Sequence, residues 1–289
     1  MPVLLAVLSA LASAIGLVVQ RDSSRAAPAE VRGRRLVGYL VRNPLWLLGQ
    51  GAWVVALGLQ ALALHVGRLS VVQPVLVSEL VFVLIIRAFV MHWTVRTAAW
   101  GSAALLGGSL SVFLVAAEPR GGHPTPTVSA WLWALIATGG FAASMAWLGG
   151  RGSPVRRAAF CATAAATLGA LEASFLKTAT NTLSRHGVLA VFTDWPVYAL
   201  VVAGACSGVL VQTALRMGPL TVSQPLLAVV NPMVSVLLSV WLFGEHFTDD
   251  RATIAMGACA FLGVVAGVVL LTVTGPRQAG ATVAVASPG

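Results

Sequence analysis

The chain carries nine apolar runs of about twenty residues, the length at which an α-helix crosses the ~30 Å hydrocarbon layer of a bilayer. They lie near 2–20, 44–64, 71–91, 98–117, 128–148, 158–178, 196–215, 222–243 and 252–273. Connectors such as "HVGRLS", "EPRGGHPTPT" and "GGRGSPVRR" hold the Gly, Pro and charged residues that punctuate helices, and none is long enough for a soluble domain. The expected fold is therefore an all-α integral membrane protein of nine transmembrane helices. One transmembrane domain fills 1–273, with a first half of about 1–117 and a second of about 128–273, and a short disordered cytoplasmic tail follows at 274–289. Composition agrees: 9% of residues are charged, against about 25% in a soluble domain.

The net charge of +9 does not point to nucleic acid, because the cations sit between spans rather than on one face with aromatics among them. Cys161, Cys206 and Cys259 all fall inside spans and show no metal-ligand spacing, so buried packing is expected for each. There is no Gly-rich phosphate loop, no Ser-His-Asp set and no His-Glu-x-x-His pattern, so neither an enzyme nor a cofactor is expected. The basic residues are seventeen Arg and one Lys, a bias that suggests a GC-rich bacterial genome and a multi-pass protein of the cytoplasmic membrane.

Arginines orient the bundle, since Lys and Arg of short loops stay on the cytoplasmic side. Thirteen of the eighteen, among them Arg21, Arg34, Arg96, Arg151 and Arg157, fall at the ends of odd-numbered spans. The other side holds Arg68, Arg120, Lys177, Arg185 and Arg251 with most of the acids, including Glu118, Asp194, Glu245, Asp249 and Asp250. This places the N-terminus outside and the C-terminus inside. An Ala-x-Ala site in "LASAIG" raises a signal peptide, but the basic cluster follows the apolar run instead of preceding it, so a retained first span is expected.

"LQALALHVGRLSVVQPVL" at 59–76 returns as "LVQTALRMGPLTVSQPLL" at 210–227, with nine identities over eighteen positions. The third span thus corresponds to the eighth. Five spans apart is an odd number of crossings, so the copies run in opposite directions, the inverted repeat on which many secondary transporters are built. Ser70-x-x-Gln73 and Thr221-x-x-Gln224 also read as capping boxes, with Pro74 and Pro225 in a first helical turn, so the motif can equally be architecture. Pro232, after Asn231, frees a carbonyl at membrane depth, which is tolerated only against protein or a wet cavity.

Ionisable groups inside spans are costly and are functional candidates by default. Glu79 lies about 12 Å and Glu172 about 9 Å from the outer ends of their spans at helical rise, a common layer that Asn231 approaches from the other side. These three are the candidate substrate- or ion-binding residues, and the two acids are the candidate metal ligands if the ion is Mg²⁺. Gln73, Gln224, Lys177 and Pro232 are candidates for a polar path or gate. Each has a plainer reading: a hydrogen-bonded buried acid for Glu79 and Glu172, snorkelling to headgroups for Lys177 and Arg87, and interhelical hydrogen bonds for Gln50, Gln60 and Gln212. Trp46, Trp93, Trp131 and Trp195 lie near span ends as interface anchors.

This layout resembles the drug/metabolite transporter superfamily, and more closely its NIPA-like branch. A first span followed by a basic loop and "GYL", then an aromatic-rich second span, is similar to that branch. "LGALEASFLKT" is similar to its Leu-Gly-small-Leu run followed by Lys, which maps onto Gly169 and Lys177. "VSQPLLAVVNPMVSVLLSVWLFGE" is similar to its penultimate helix, ending in Gly244 and Glu245. "VMHWTVR" departs from the pattern, because relatives commonly close the corresponding first-half helix with an acid, and Glu172 matches no family motif. The resemblance implies a secondary transporter of a small molecule or ion, with Mg²⁺ one cargo of the branch and small organic molecules those of the wider superfamily. The expected partners are that substrate and membrane lipid, not nucleic acid, and a homodimer stays open. The alternative is a non-transporting membrane scaffold or partner subunit on the same fold.

Overall fold

The structure, a computed structural model, describes residues 1–25, 42–90, 92, 95–116, 120–121, 126–217, 220–246 and 250–274. Among them nine helical segments are long and apolar enough to span a membrane, as expected from the sequence. The protein is an all-α multi-pass membrane protein. The first half holds α1 (Pro2–Arg25), α2 (Pro44–Val66) and a third span in pieces: α3 (Leu69–Leu76), α4 (Glu79–Ile85) and a π-helical turn (Ile86–Val90). Then come α5 (Thr97–Ala116) and α6 (Val128–Gly149). The second half begins with the 33-residue α7 (Pro154–His186), continues through the short α8 (Val188–Thr193) and ends with α9 (Trp195–Met217), α10 (Leu220–Phe243) and α11 (Arg251–Thr274).

Local chemistry sets several of these boundaries. Asn43 Oδ1 accepts from the amides of Leu45 and Trp46 at 2.9 and 3.4 Å, and Pro44 fills the first helical position, where its missing N–H costs nothing. Thr127 and Ser153 start α6 and α7 in the same way. Asp250 takes the amide and hydroxyl of Thr253 at 3.0 and 2.7 Å ahead of α11. Past the end of α10, Gly244 has φ of +63°, a left-handed turn natural to glycine, and the next two residues pair antiparallel with Arg120–Gly121.

α1 packs along α2, α7 along α9, and α5 along α11, while α7 also lies against α10 and α6. Close approach depends on small residues. A Cβ at Gly267 of α11 would stand 2.8 Å from the Leu106 backbone of α5, so only hydrogen fits there. On α7 a run of fully or nearly fully buried alanines, Ala158, Ala162, Ala165, Ala166 and Ala170, makes it the centre of the bundle. Outward-facing Leu48, Trp133, Val201, Leu237 and Leu262 form the apolar exterior that lipid requires.

Three expectations are corrected. The third span is not one helix: it breaks at Val77–Ser78, just before Glu79, and is held there by short-range bonds from Val77 N to Pro74 O and from Ser78 N to Val75 O. The proline ring of Pro74, six residues into its helix and not in the first turn, contributes no amide to the ladder at that depth. Pro225 and Pro232, by contrast, are both accommodated within the continuous α10. Trp131 is not an interface anchor but is buried, stacked on Phe175 at 4.8 Å between ring centroids, with Trp195 edge-on to it at 5.3 Å. Of the three free thiols only Cys161 is buried, whereas Cys206 and Cys259 lie on the outer surface, where a small apolar side chain can face acyl chains. Trp93, Glu118, Asp249 and the tail beyond Thr274 lie outside the described residues, as do Arg32, Arg34 and Arg35 of the basic loop.

Candidate functional site

Glu79, Glu172 and Asn231 line one cavity of about 320 Å³ between the helices. Glu79 opens α4 immediately after the break, which brings a carboxylate to the cavity at the point where the third span loses its regular ladder. Ser13 of α1 lines the same cavity. Glu172 projects from the middle of α7, half-buried, with no hydrogen-bond donor among the described residues. Glycines make room for these groups: a Cβ at Gly204 would sit 3.3 Å from Glu172 Oε1, and one at Gly169 would sit 3.0 Å from Asn231 Nδ2. Asn231 Oδ1 accepts from the Ser235 hydroxyl at 3.3 Å.

Gln73 also reaches the cavity. Its side chain is buried, 4% exposed, and its amide nitrogen has no partner. An unsatisfied buried donor costs about 1–3 kcal/mol. Gln60 lines the same space, whereas Gln212 faces outward and Gln224 is half-buried and not part of the lining. Apolar Trp53, Leu57, Leu76, Leu176, Val211 and Leu227 complete the wall. Among the described residues that line the cavity, none is basic.

A second polar site lies at the end of the bundle where α3 begins. Lys177 does not snorkel: it is buried and its Nζ donates to Glu245 Oε1 at 2.6 Å, while resting 4.4 Å from the Phe243 ring centroid. Glu245, expected as an acid of the outer loops, is 1% exposed. The left-handed Gly244 turns it back into the protein, where Oε1 also accepts from Leu69 N at 3.2 Å and Oε2 from Ser70 N at 3.3 Å and Ser70 Oγ at 2.6 Å. The capping box therefore does not form. α3 has Arg68 at its N-cap with no side-chain cap, and its free amides are capped instead by a carboxylate from the other half of the chain. In the second copy the Thr221 side chain lies outside the described residues.

Sequence reasoning overlooked Glu245 as a buried acid, and also Ser9, Ser13 and Trp53 in the cavity wall. One signal was present: Lys177 is the only lysine of the chain and lies in a span, where a cation requires an opposite charge. The serines had no such signal, since a hydroxyl in an apolar helix usually turns back to its own backbone. Ser9 instead donates across to Ala56 O at 2.7 Å, and Ser207 to Ala165 O at 3.0 Å.

The chain is similar to an uncharacterized protein of Corynebacterium glutamicum, 29% identical over 284 residues that cover 96% of this chain and 98% of that one. No protein-family model matches it. No solved structure matches it either.

Proposed function

We propose that this chain is a secondary transporter of the drug/metabolite transporter type, moving a small solute or cation across a bacterial cytoplasmic membrane through the cavity that holds Glu79 and Glu172. The observation that carries this reading is the make-up of the cavity wall. The two copies of the repeated segment are offset by 151 residues, and Ala56 and Ser207, Gln60 and Val211, and Leu76 and Leu227, each pair separated by that offset, all line the same cavity. A binding site shared by corresponding positions of two halves is what alternating access by rocking of inverted repeats requires. The interhelical bonds follow the same scheme, because Ser207 donates from the position at which Ala56 accepts.

Charge supports a cationic or proton-coupled cargo, since two carboxylates face a space with no basic group among the described residues of its wall. Support for Mg²⁺ as cargo is thinner. Among the described residues no group of three His, Cys, Asp or Glu side chains comes together, and Mg²⁺ would have to keep most of its water between two carboxylates and Asn231.

Current measurements on proteoliposomes adsorbed to a solid-supported electrode, with jumps in MgCl2, organic amines and neutral solutes, detect transport that moves net charge, and uptake of the radiolabelled solutes into the same proteoliposomes detects electroneutral transport. Charge movement is expected for at least one solute class and is expected to vanish in Glu79→Gln and Glu172→Gln. Protein that is folded and inserted yet moves nothing would favour the scaffold alternative. The arginine-based orientation is tested separately with single cysteines at Ser129 and Arg151, the two ends of α6, in a background lacking the native thiols. An impermeant thiol reagent on intact cells is expected to reach position 129 and not 151, and the reverse result would invert the orientation.

A further inference from the structure

We propose that the hairpin between α6 and α7 holds the headgroup of an anionic phospholipid, with Arg151, Arg156 and Arg157 around its phosphate and Trp147 beside its acyl chains. The proposal goes beyond the transporter reading and does not depend on what the cavity carries. The stretch "GGRGSPVRR" at 149–157 gathers these three arginines at one end of the bundle. Local contacts fix each of them. The Arg151 guanidinium stands 3.9 Å from the centroid of the Trp147 ring, and that of Arg156 stands 5.3 Å from the Phe160 ring. Gly152, with φ of +96°, turns the loop so that the Arg156 stem passes close across it: a Cβ there would lie 3.3 Å from Arg156 Cδ. Arg157 Nε donates to Gly149 O at 3.2 Å, which ties the first turn of α7 to the last residue of α6.

Each guanidinium is a fork of N–H donors matched to phosphate, and among the described residues the Arg157 Nε–H is the only one of the three sets spent on a protein acceptor. None of the three arginines meets a carboxylate among the described residues. Positive charge held at the membrane boundary without a protein counter-ion calls for an anion, and anionic lipid supplies one at that depth. Trp147 sets the depth. It lies in the last turn of α6, 62% exposed, where an interfacial aromatic meets acyl chains on one side and headgroups on the other. Arginine stems already held against rings lose less freedom on binding than unheld ones, which favours this hairpin over other cations of the same end. Arg42 and Arg96, exposed ahead of α2 and α5 at that end, have no such ring contact among the described residues.

Native mass spectrometry of the purified full-length protein, titrated with dioleoylphosphatidylglycerol or dioleoylphosphatidylcholine, reads lipid binding directly. The first phosphatidylglycerol is expected to bind at least about tenfold more tightly than phosphatidylcholine. Each surface arginine accounts for about fivefold, so Arg151→Gln combined with Arg156→Gln should weaken that site roughly twentyfold. Arg151→Lys combined with Arg156→Lys keeps the charge but loses the fork, and a loss of about a few-fold is expected. Arg42→Gln combined with Arg96→Gln removes the same charge elsewhere and should leave the first site within about twofold of the parent. Equal binding of the two lipids, or a loss in the Arg42 and Arg96 variant as large as in the hairpin variant, would overturn the proposal. So would displacement of the lipid by millimolar inorganic phosphate, which would mark a site for a soluble anion. The comparison of lipids on the parent protein decides even if a variant fails to fold.

Discussion

Among the described residues, three carboxylates lie within the membrane-spanning bundle, in two very different settings. Glu245 receives four donors, from Lys177, the Leu69 and Ser70 amides and the Ser70 hydroxyl, and is sealed from its surroundings. Glu79 and Glu172 are not enclosed by donors in this way among the described residues, and both face a cavity. The contrast sets a satisfied charge against two that are open to a ligand. A charge whose every lone pair is occupied holds helices in place and has nothing left to offer a ligand. A charge without partners in low dielectric is costly, and an open space beside it gives the proton or cation that would neutralise it a place to bind.

The sharpest way to break this contrast is to remove the partner of a satisfied charge. Glu245→Gln strands the buried Lys177 cation and weakens the cap of α3, so a loss of about 3–5 kcal/mol is expected as a large drop in unfolding temperature in detergent. Combining it with Lys177→Met should restore much of that loss, because the pair is then replaced by groups without charge. A double variant no more stable than Glu245→Gln alone would mean that the ion pair is not the stabilising unit.

Filling the cavity comes next in size. Gly169→Ala and Gly204→Ala bring a Cβ to 3.0 Å from Asn231 Nδ2 and 3.3 Å from Glu172 Oε1, and in each case the neighbour is the free end of a side chain with space behind it. A cost of about 1 kcal/mol is expected, at the low end for overpacking, together with a loss of transport out of proportion to it. Transport reduced only as far as the folded fraction falls would place these glycines in packing alone.

Neutralising the cavity acids should do less still to stability. Glu79→Gln and Glu172→Gln remove a desolvated charge and strand no partner, so unfolding temperatures equal to or slightly above the parent's are expected, within about 1 kcal/mol, while transport is lost. Melting that falls as far as in Glu245→Gln would erase the distinction between the two settings.

The smallest effect belongs to an exposed acid. The hydroxyl and amide of Thr253 hold the Asp250 carboxyl below the usual carboxylate range, so its contribution to α11 is present above the unfolded value of about 3.9 and disappears as pH falls through the folded one. Unfolding followed by circular dichroism should show the parent only marginally more stable than Asp250→Asn near neutral pH, with the difference closing at the acid end. A difference that persists unchanged to the lowest pH would show that the cap does not depend on the carboxylate charge.

How much of this was legible in the sequence follows from the range of each interaction. Span number and helical class could be read because lipid forces every apolar run of sufficient length to satisfy its own backbone. Glu79, Glu172 and Asn231 stood out because ionisable and polar groups at membrane depth are rare, and depth counting along a helix is a local calculation. The partnership of Lys177 with Glu245 could not be read in that way. It joins residues 68 apart and also caps a helix that starts 176 residues before Glu245. The break at Val77–Ser78 was hidden for a similar reason: Pro74 and Pro225 stand in matching sequence, yet only the first belongs to an interrupted helix. Local propensity was alike and packing decided.

Labelling with a hydrophobic carbodiimide, mapped by mass spectrometry on the intact membrane-embedded protein, tests the central distinction without needing the substrate. Glu79 and Glu172, open to the cavity, are expected to react, and Glu245, enclosed by Lys177, Ser70 and the start of α3, is expected to stay unmodified until the protein unfolds. Modification of Glu245 at the rate of the cavity acids, or protection of all three, would contradict the division of roles between them.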